Sequence, residues 1–211
     1  MHTLLTALTA EFVLTGCVER DAPAFLLHHD CAATAAHSAA VACEAQRIAR
    51  LHRVDEARSM QAAWLHDISA VFPGTQRARV AYDLGVPVLP EERTFPPILH
   101  QKLSAVLARE IFGVCDTQVL DAIGCHTTLR AGATPLDRVV FVADKIAWDQ
   151  SGDPPYLIEL VGALGRSLEC ASLVYLDYLW EHRGALRVVH PWMLAARTEL
   201  QRTKGGTPRC Q

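Results

Sequence analysis

The sequence is poor in aromatic residues and has no excess of positive charge. Aromatic side chains make up 7% of the 211 residues, and 20 Lys and Arg residues stand against 23 Asp and Glu residues, a formal net charge of −3. Without a basic excess the chain cannot hold a phosphate backbone by counterion release, so we expect no nucleic-acid partner. A small anionic substrate is compatible with this charge. No run of about 18 apolar residues occurs, so we also expect no membrane span.

The cysteines and the N-terminal segment indicate a reducing compartment. The seven cysteines are odd in number and form no Cys-x-x-Cys pair, which argues against a secreted disulfide framework and against a structural zinc knuckle. The segment from Leu14 to Cys17 resembles a lipoprotein attachment box, but Glu11 interrupts the preceding apolar run and no Lys or Arg precedes Arg20. A signal peptide is therefore not expected. We expect a cytoplasmic protein with free thiols.

Helical periodicity, punctuated by Pro and Gly, dominates the chain, and no stretch alternates as a strand would. These patterns predict an all-α fold with one domain. We place the main domain at residues 31–200, after a helical extension over residues 1–30 and before a frayed tail over residues 201–211.

Two segments carry more specific predictions. Four prolines between Pro87 and Pro97 predict an extended linker in which Glu91, Glu92 and Arg93 lie in solvent. The periodic segment from Tyr156 to His182 predicts one long helix. The apolar side chains of that helix would belong either to the core or to the face of a homodimer.

The sharpest local feature is the adjacent pair His66-Asp67, which ends the apolar segment Ala62–Leu65. Side chains on consecutive helical residues diverge by about 100°, yet at a helix end both can reach one ion. Imidazole and carboxylate together suit a first-row metal such as iron, manganese or zinc. A His-Asp dipeptide is common by chance, so the prediction of a metal site depends on further ligands.

Four more side chains of metal-binding type lie in apolar neighbourhoods along predicted helices: His37, His100, His126 and Asp144. A His or Asp on an apolar face is costly to bury unless it is paired or coordinated. Six such side chains on five predicted helices favour a shared metal site. The alternative is a helical domain whose histidines are only hydrogen-bonded, and that alternative predicts no metal in the purified protein.

With these residues the sequence resembles the HD-domain superfamily of metal-dependent phosphohydrolases, whose signature is H…HD…D on a helical core. More narrowly, it is similar to the branch of bacterial symmetrical diadenosine tetraphosphatases. The resemblance runs from about Thr34 to Leu200, and its branch-specific segments are His126-Thr127-Thr128 and Ala143-Asp144-Lys145-Ile146. It implies a single-domain helical bundle of the HD-domain type.

The resemblance also implies a role for each site residue. Four residues match the metal ligands of the family, in which iron is the expected metal and manganese its substitute: His37, His66, Asp67 and Asp144. His100 and His126 match positions that contact the substrate phosphate or, in two-metal relatives, ligate a second ion bridged by Asp67. The implied catalytic residues are therefore Asp67, His100 and His126.

The implied substrate contacts are His100, His126, Thr127 and Lys145. The branch commonly has a Lys where this chain has Ala70, and an Arg where it has Gln150. An Arg fork is hard to replace because it pairs a phosphate bidentately. We therefore expect a small phosphorylated substrate, a nucleotide or a dinucleoside polyphosphate, with weak binding of long polyphosphate chains.

Two other classes of function stay open at this point. A di-iron HD-type oxygenase would use the same six ligands, so the sequence does not exclude it. A metal-binding or nucleotide-binding module without catalysis would account for the missing cations at positions 70 and 150. Metal content and oxygen-dependent turnover distinguish these alternatives from a phosphohydrolase.

Overall fold

A computed structural model describes residues 2–148 and 152–206 of the chain, and this part contains twelve α-helices and no β-strand. The all-α prediction is confirmed. Short 3-10 segments cover Ile68–Val71, Pro96–Leu99 and Arg183–Ala185. The α-helices are α1 (Thr3–Leu8), α2 (Val18–His28), α3 (Ala32–His52), α4 (Glu56–Leu65), α5 (Arg77–Asp83), α6 (Pro90–Thr94), α7 (His100–Glu110), α8 (Thr117–Cys125), α9 (Pro135–Ile146), α10 (Leu157–Leu164), α11 (Leu168–Glu181) and α12 (Pro191–Gly206). Within the described ranges, no helix combines the length and apolar character needed to cross a membrane.

Local sequence signals set the start of the helices that carry the polar site described below. Asp55 precedes α4 and Asp116 precedes α8, and each carboxylate accepts a hydrogen bond from a backbone N–H of the first turn. Thr134 and Asp137 form a capping box at α9, where Pro135 occupies the first helical position. These residues satisfy N–H groups that have no partner inside the helix, so the three helix starts are determined locally.

Two clusters of buried apolar side chains form the core, and α3, α4 and α9 contribute to both. Phe141 of α9 is fully buried in the first cluster, which α10, α11 and α12 complete. Leu65 of α4 is fully buried in the second cluster, to which α1 and α2 add Leu5 and Phe25. Each such side chain contributes roughly 1.5–3 kcal/mol to folding. The central helices α3, α4 and α9 are therefore held rigidly from two sides.

The predicted extended linker between Pro87 and Pro97 is wrong. This segment forms α6 and a 3-10 segment, and Glu92 is fully buried rather than solvated. The Glu92 carboxylate accepts hydrogen bonds from Lys102 Nζ at 2.8 Å and from His190 Nε2 at 3.2 Å. His190 Nδ1 accepts from a backbone N–H, so its Nε2 carries the hydrogen. Local pattern could not show this burial, because His190 is 98 residues away in the chain.

The long helix predicted from Tyr156 to His182 is also wrong, because α10 ends at Leu164 and α11 begins at Leu168. Ser167 caps α11 by accepting a hydrogen bond from the N–H of Cys170. The apolar stripe is mostly core, although Val161 stays 46% exposed. The homodimer face and the domain bounds at residues 30 and 200 stay predictions. Of the predicted tail, residues 207–211 lie outside the described part of the chain.

Candidate metal centre

Six side chains from five helices converge at the centre of the fold. His37 lies on α3 and Asp144 on α9, His66 and Asp67 directly follow α4, His100 begins α7, and His126 directly follows α8. Their donor atoms form three overlapping groups, and within each group all atoms lie within 4.8 Å of one another. The groups are His37–His66–Asp67, His66–His126–Asp144 and Asp67–His100–His126. The structure thus brings together every residue that the sequence suggests as a metal ligand.

Three of the histidines are oriented by the same kind of backbone contact, each with its own carbonyl oxygen. The Nδ1 atoms of His66, His100 and His126 lie 2.7, 2.9 and 2.8 Å from a carbonyl oxygen three residues earlier in the chain. A carbonyl oxygen only accepts, so each Nδ1 must donate and each neutral ring keeps its lone pair on Nε2. Such contacts hold the tautomer and the ring orientation that metal-ligating histidines need.

His66 shows that these residues fit a metal ion. Its Nε2 atom is buried without a hydrogen-bond partner, and the nearest carboxylate oxygens, on Asp67 and Asp144, lie at 3.5 and 3.7 Å. An unpartnered buried polar atom costs about 1–3 kcal/mol. Burial opposes a charged ring, yet these carboxylates raise the pKa of His66 to about 9, so the surroundings favour a cation at Nε2. Imidazole nitrogen with carboxylate oxygen is a donor set for first-row divalent metals.

Asp67 faces the histidines with both of its oxygens. Oδ2 lies 3.5 Å from His66 Nε2, whereas Oδ1 lies 3.5 Å from the Nε2 atoms of both His100 and His126. Burial alone would raise the pKa of this carboxyl, but His66, His126 and His100 together hold it well below its usual range. One oxygen of the ionised carboxylate thus faces His66 and the other faces His100 and His126, which is the arrangement of a bridging ligand.

Asp144 is held between a histidine and a lysine. His37 Nε2 lies 3.0 Å from Asp144 Oδ1, and the ammonium group of Lys145 contacts Asp144 Oδ2. Burial would raise the pKa of Asp144, but Lys145 and then the histidines hold it well below its usual range. Lys145 is itself buried and lies over the rings of Phe141 and Tyr175 at 5.5 and 5.4 Å. The structure therefore places Lys145, expected as a substrate contact, against a candidate metal ligand.

Thr127 and Gln101 complete the wall of the site around His100. The Thr127 hydroxyl lies 2.8 Å from His100 Nε2 and donates to its lone pair. Gln101 is fully buried, and its Oε1 accepts from the backbone N–H groups of Thr127 and Thr128 at 3.2 and 3.3 Å. Gln101 is not among the residues predicted from the sequence, although an amide directly after His100 in an apolar segment indicates a buried polar contact. Burial lowers the pKa of His100 to about 4, so this ring is neutral near pH 7.

Arg77, at the start of α5, was also missed. Its Nη1 donates to the carbonyl oxygen of Pro97 at 2.7 Å, and its Nε donates to that of Phe72 at 3.2 Å. The Pro97 oxygen is the one that also accepts from His100 Nδ1. No sequence signal could have found this residue, because both acceptors are backbone atoms.

Of the two positions that depart from the tetraphosphatase pattern, one lies in the described part of the chain. Ala70 is half-buried in the 3-10 segment Ile68–Val71, and its N–H donates to the carbonyl oxygen of Asp67 at 2.9 Å. A longer side chain at this position would therefore start beside the site. Gln150 lies outside the described residues.

A cleft of about 330 Å³ opens beside the polar site and includes Thr127 and Thr128 in its wall. The rest of the wall is mostly apolar and is formed by Phe95, Ile98, Tyr175, Leu179, Leu186 and Met193. The exposed side chain of Arg187 also lines it. The cleft is thus joined to His100 through the hydroxyl of Thr127.

Comparison with known proteins places the chain in a family. The family model for the HD domain matches residues 34–149. The chain is 43% identical over 148 residues to an uncharacterized protein in the pepC 5' region of Lactococcus lactis subsp. cremoris, an alignment that covers 70% of this chain and 75% of that protein. It is 30% identical over 110 residues to the symmetrical bis(5'-nucleosyl)-tetraphosphatase of Bacillus subtilis, covering 52% of this chain and 59% of the relative.

Two further proteins, one compared by sequence and one by structure, are similar to this chain. A probable nicotinate-nucleotide adenylyltransferase/Ap4A hydrolase of Mycoplasma genitalium is 26% identical over 64% of this chain, and the alignment covers 39% of that protein. The matches thus span less than two thirds of the length of the Mycoplasma genitalium and Bacillus subtilis relatives. A crystal structure of a predicted HD superfamily hydrolase involved in NAD metabolism from Clostridium acetobutylicum has a TM-score of 0.77 at 24% identity, over 86% of this chain and 96% of that one. The family model covers more than half of the chain, and the six candidate ligands of the chain meet in one place. This protein therefore belongs to the HD-domain family.

Proposed function

We propose that the protein is a metal-dependent phosphohydrolase that uses water to cleave a phosphate bond in a nucleotide or a dinucleoside polyphosphate. The observation that supports this proposal is the convergence of four imidazoles and two carboxylates, with the Nε2 lone pairs of three histidines directed into the cluster. Relatives from two bacteria whose names state cleavage of dinucleoside tetraphosphates point to the same substrate class.

We assign the donor set to two positions for divalent metal. His37, His66, Asp67 and Asp144 would hold the first ion, and His100 and His126, with the second oxygen of Asp67, would hold the other. Iron is the proposed metal, with manganese as its substitute. Ions held at these positions would supply a Lewis acid for a phosphate oxygen and would lower the pKa of a water molecule.

The protein side chains have separate tasks in this proposal. Asp67 would orient the attacking water while also ligating metal; the water oxygen bonds to phosphorus as the bond to the leaving phosphate oxygen breaks, and the proton of the water passes to solvent. Burial keeps His100 neutral, so this ring offers a lone pair to metal rather than a positive charge to phosphate. With His100 serving as a metal ligand through Nε2, the hydroxyl of Thr127 would be without this acceptor. That hydroxyl then donates to a phosphate oxygen.

Lys145 remains a proposed substrate contact, with a second task. Its ammonium group holds the Asp144 carboxylate, which in turn contacts His37. Groups that orient a metal ligand in this way commonly change metal affinity or activity by about 10–100-fold when they are removed.

The apolar cleft beside Thr127 is the proposed seat of one nucleoside. Its volume of about 330 Å³ lies at the lower end of the range for small-molecule sites, roughly 300–1,000 Å³, and suits one nucleoside rather than two. Phe95 and Tyr175 offer aromatic faces to a base. A nucleoside seated there would have its phosphate next to Thr127 and His100.

The test uses the purified protein loaded with Fe(II) or Mn(II), its metal content verified, and a panel of nucleotides and dinucleoside polyphosphates. We expect release of phosphate or nucleotide from at least one compound, and none from Asp67→Asn. Silence across the panel with metal in place would overturn the proposal. Nucleotide binding by calorimetry without turnover would instead indicate a binding module, and oxygen-dependent turnover with two irons an oxygenase.

A further inference from the structure

Arg77 is a half-buried cation without a carboxylate partner among the residues that the structure describes. Every other Lys or Arg of the described part that is buried or half-buried contacts a carboxylate. These residues are Lys102, Arg130, Arg138, Lys145 and Arg197. A charge that is taken partly out of water is unfavourable unless an opposite charge compensates it. Arg77 is therefore an exception that needs an explanation.

Two backbone carbonyl oxygens hold the guanidinium of Arg77 in place, yet they engage only some of its N–H donors. Its Nε and one hydrogen of Nη1 donate to the carbonyl oxygens of Phe72 and Pro97, whereas a guanidinium carries five N–H donors in a fixed fork. Burial lowers the pKa of Arg77, and the negative charge of Asp67 opposes this change. Asp67 is thus the carboxylate whose charge acts on Arg77, although the two side chains form no ion pair.

The position of Arg77 links it to the metal centre. Its Nη1 and the Nδ1 of His100 meet at a single acceptor, the carbonyl oxygen of Pro97, at 2.7 and 2.9 Å. The nearby negative charge of Asp67 is the one that divalent metal would take up. Metal binding would therefore leave the guanidinium without any compensating anion.

We propose that Arg77 forms a phosphate-binding subsite at the edge of the metal centre, where its free N–H groups grip an oxyanion of the substrate. The planar fork of a guanidinium matches two phosphate oxygens at once, which suits this task. Arg77 thereby supplies a cation that the chain lacks at Ala70 and at position 150. The inference rests on the proposed function for the identity of the anion, but the binding of a simple phosphate anion can be measured without turnover.

The experiment measures pyrophosphate binding to the Mn(II)-loaded protein by calorimetry. We expect Arg77→Met to raise the pyrophosphate Kd by roughly ten- to a hundredfold with unchanged manganese content. Arg77→Lys should give an intermediate Kd, because an ammonium keeps the charge and loses the fork. The matched control is Arg79→Met on the same helix, where an exposed arginine pairs with Asp83 and lies in solvent. This control should bind pyrophosphate as the unmodified protein does.

Three results would overturn the inference: an unchanged Kd in folded Arg77→Met, an equal loss in Arg79→Met, or a loss of manganese from Arg77→Met. The last result would show that Arg77 only supports His100. Should Arg77→Met not fold, the NMR signal of the Arg77 Nε–H group in the unmodified protein tests the subsite instead. A shift on adding pyrophosphate supports the subsite, and no shift refutes it.

The same measurements separate this inference from the proposed function. If pyrophosphate binding depends on Arg77 but no nucleotide is hydrolysed, the proposed function fails and the subsite stands. If nucleotides are hydrolysed with the same KM by Arg77→Met and by the unmodified protein, the subsite fails and the proposed function stands.

Discussion

His100 and His126 direct their Nε2 atoms at each other across 3.1 Å, while the Nδ1 atom of each ring contacts a backbone carbonyl oxygen. Because both Nδ1 atoms donate, the two neutral rings bring their Nε2 lone pairs close together; the Thr127 hydroxyl donates to only one of them, so the arrangement is unfavourable unless a cation lies beside both. Asp67 Oδ1 lies 3.5 Å from both Nε2 atoms. Two nitrogen lone pairs and one carboxylate oxygen around a common point suit a divalent metal ion.

This geometry predicts the metal stoichiometry of two variants. We expect the unmodified protein to bind two ions, and His100→Gln and His126→Gln to bind one each, because each substitution removes a ligand of the proposed second position and leaves the four proposed ligands of the first in place. Elemental analysis of purified protein after reconstitution measures the result. If both variants keep their metal content and their kinetics, neither histidine belongs to the site.

A second prediction concerns the adjacent pair His66-Asp67. Asp67→Asn should abolish retention of both ions, since its two oxygens face different histidines, whereas His66→Gln should remove mainly the first ion. Both variants should keep a helical circular dichroism spectrum. The control is His182→Gln, an exposed histidine at the end of α11, which should retain metal fully. Full metal occupancy in Asp67→Asn would show that the carboxylate is not a ligand.

A third prediction concerns stability and pH at Glu92. Burial would raise the pKa of Glu92, but His190, the N–H of Leu89 and Lys102 lower it below its ordinary value of 4.5. The ionised Glu92 carboxylate and its partners therefore stabilise the fold fully above the pKa that Glu92 has in the unfolded chain. This contribution is lost as the pH falls through the lower pKa that Glu92 has in the folded protein. Glu92→Gln should cost about 3–5 kcal/mol at neutral pH, since it leaves Lys102 half-buried and uncompensated.

Urea unfolding between pH 7 and pH 3 measures this effect. The stability difference between the unmodified protein and Glu92→Gln should shrink once the pH falls below about 4.5. Glu91→Gln, one residue earlier, should change stability by less than about 0.5 kcal/mol. A difference that stays constant across this pH range would contradict the assignment of Glu92 as an ionised buried partner.

A fourth prediction tests the expectation that the protein binds long polyphosphate chains weakly. Ala70→Lys adds one cation beside Asp67, and a hydrogen bond to a charged group contributes about 1.5–3 kcal/mol. We expect kcat/KM for diadenosine tetraphosphate to rise about tenfold or more, with a smaller change for a mononucleotide. Ala57→Lys, at an exposed position near the start of α4 and so at the end away from His66, controls for the added charge and should have no effect. Efficient cleavage of diadenosine tetraphosphate by the unmodified protein would refute the expectation of weak binding.

Much of the fold was predictable because its signals are local. Thr134, Pro135 and Asp137 start α9 through contacts within one turn, and the apolar periodicity of α3 and α4 identifies their buried faces. The identities of the six candidate ligands could also be taken from the sequence, because His and Asp in apolar segments are too costly to leave without a partner.

Only the tertiary structure decided which partners these residues meet. His37 and Asp144 are 107 residues apart, and the packing of α3 on α9 brings them to 3.0 Å. The burial of Glu92 depends on His190, and Arg77 is unpaired because packing brings no carboxylate of the described ranges into ion-pair contact with it. Local periodicity reports which face of a helix is apolar, whereas the compensation of a buried charge depends on residues that packing brings from elsewhere in the chain.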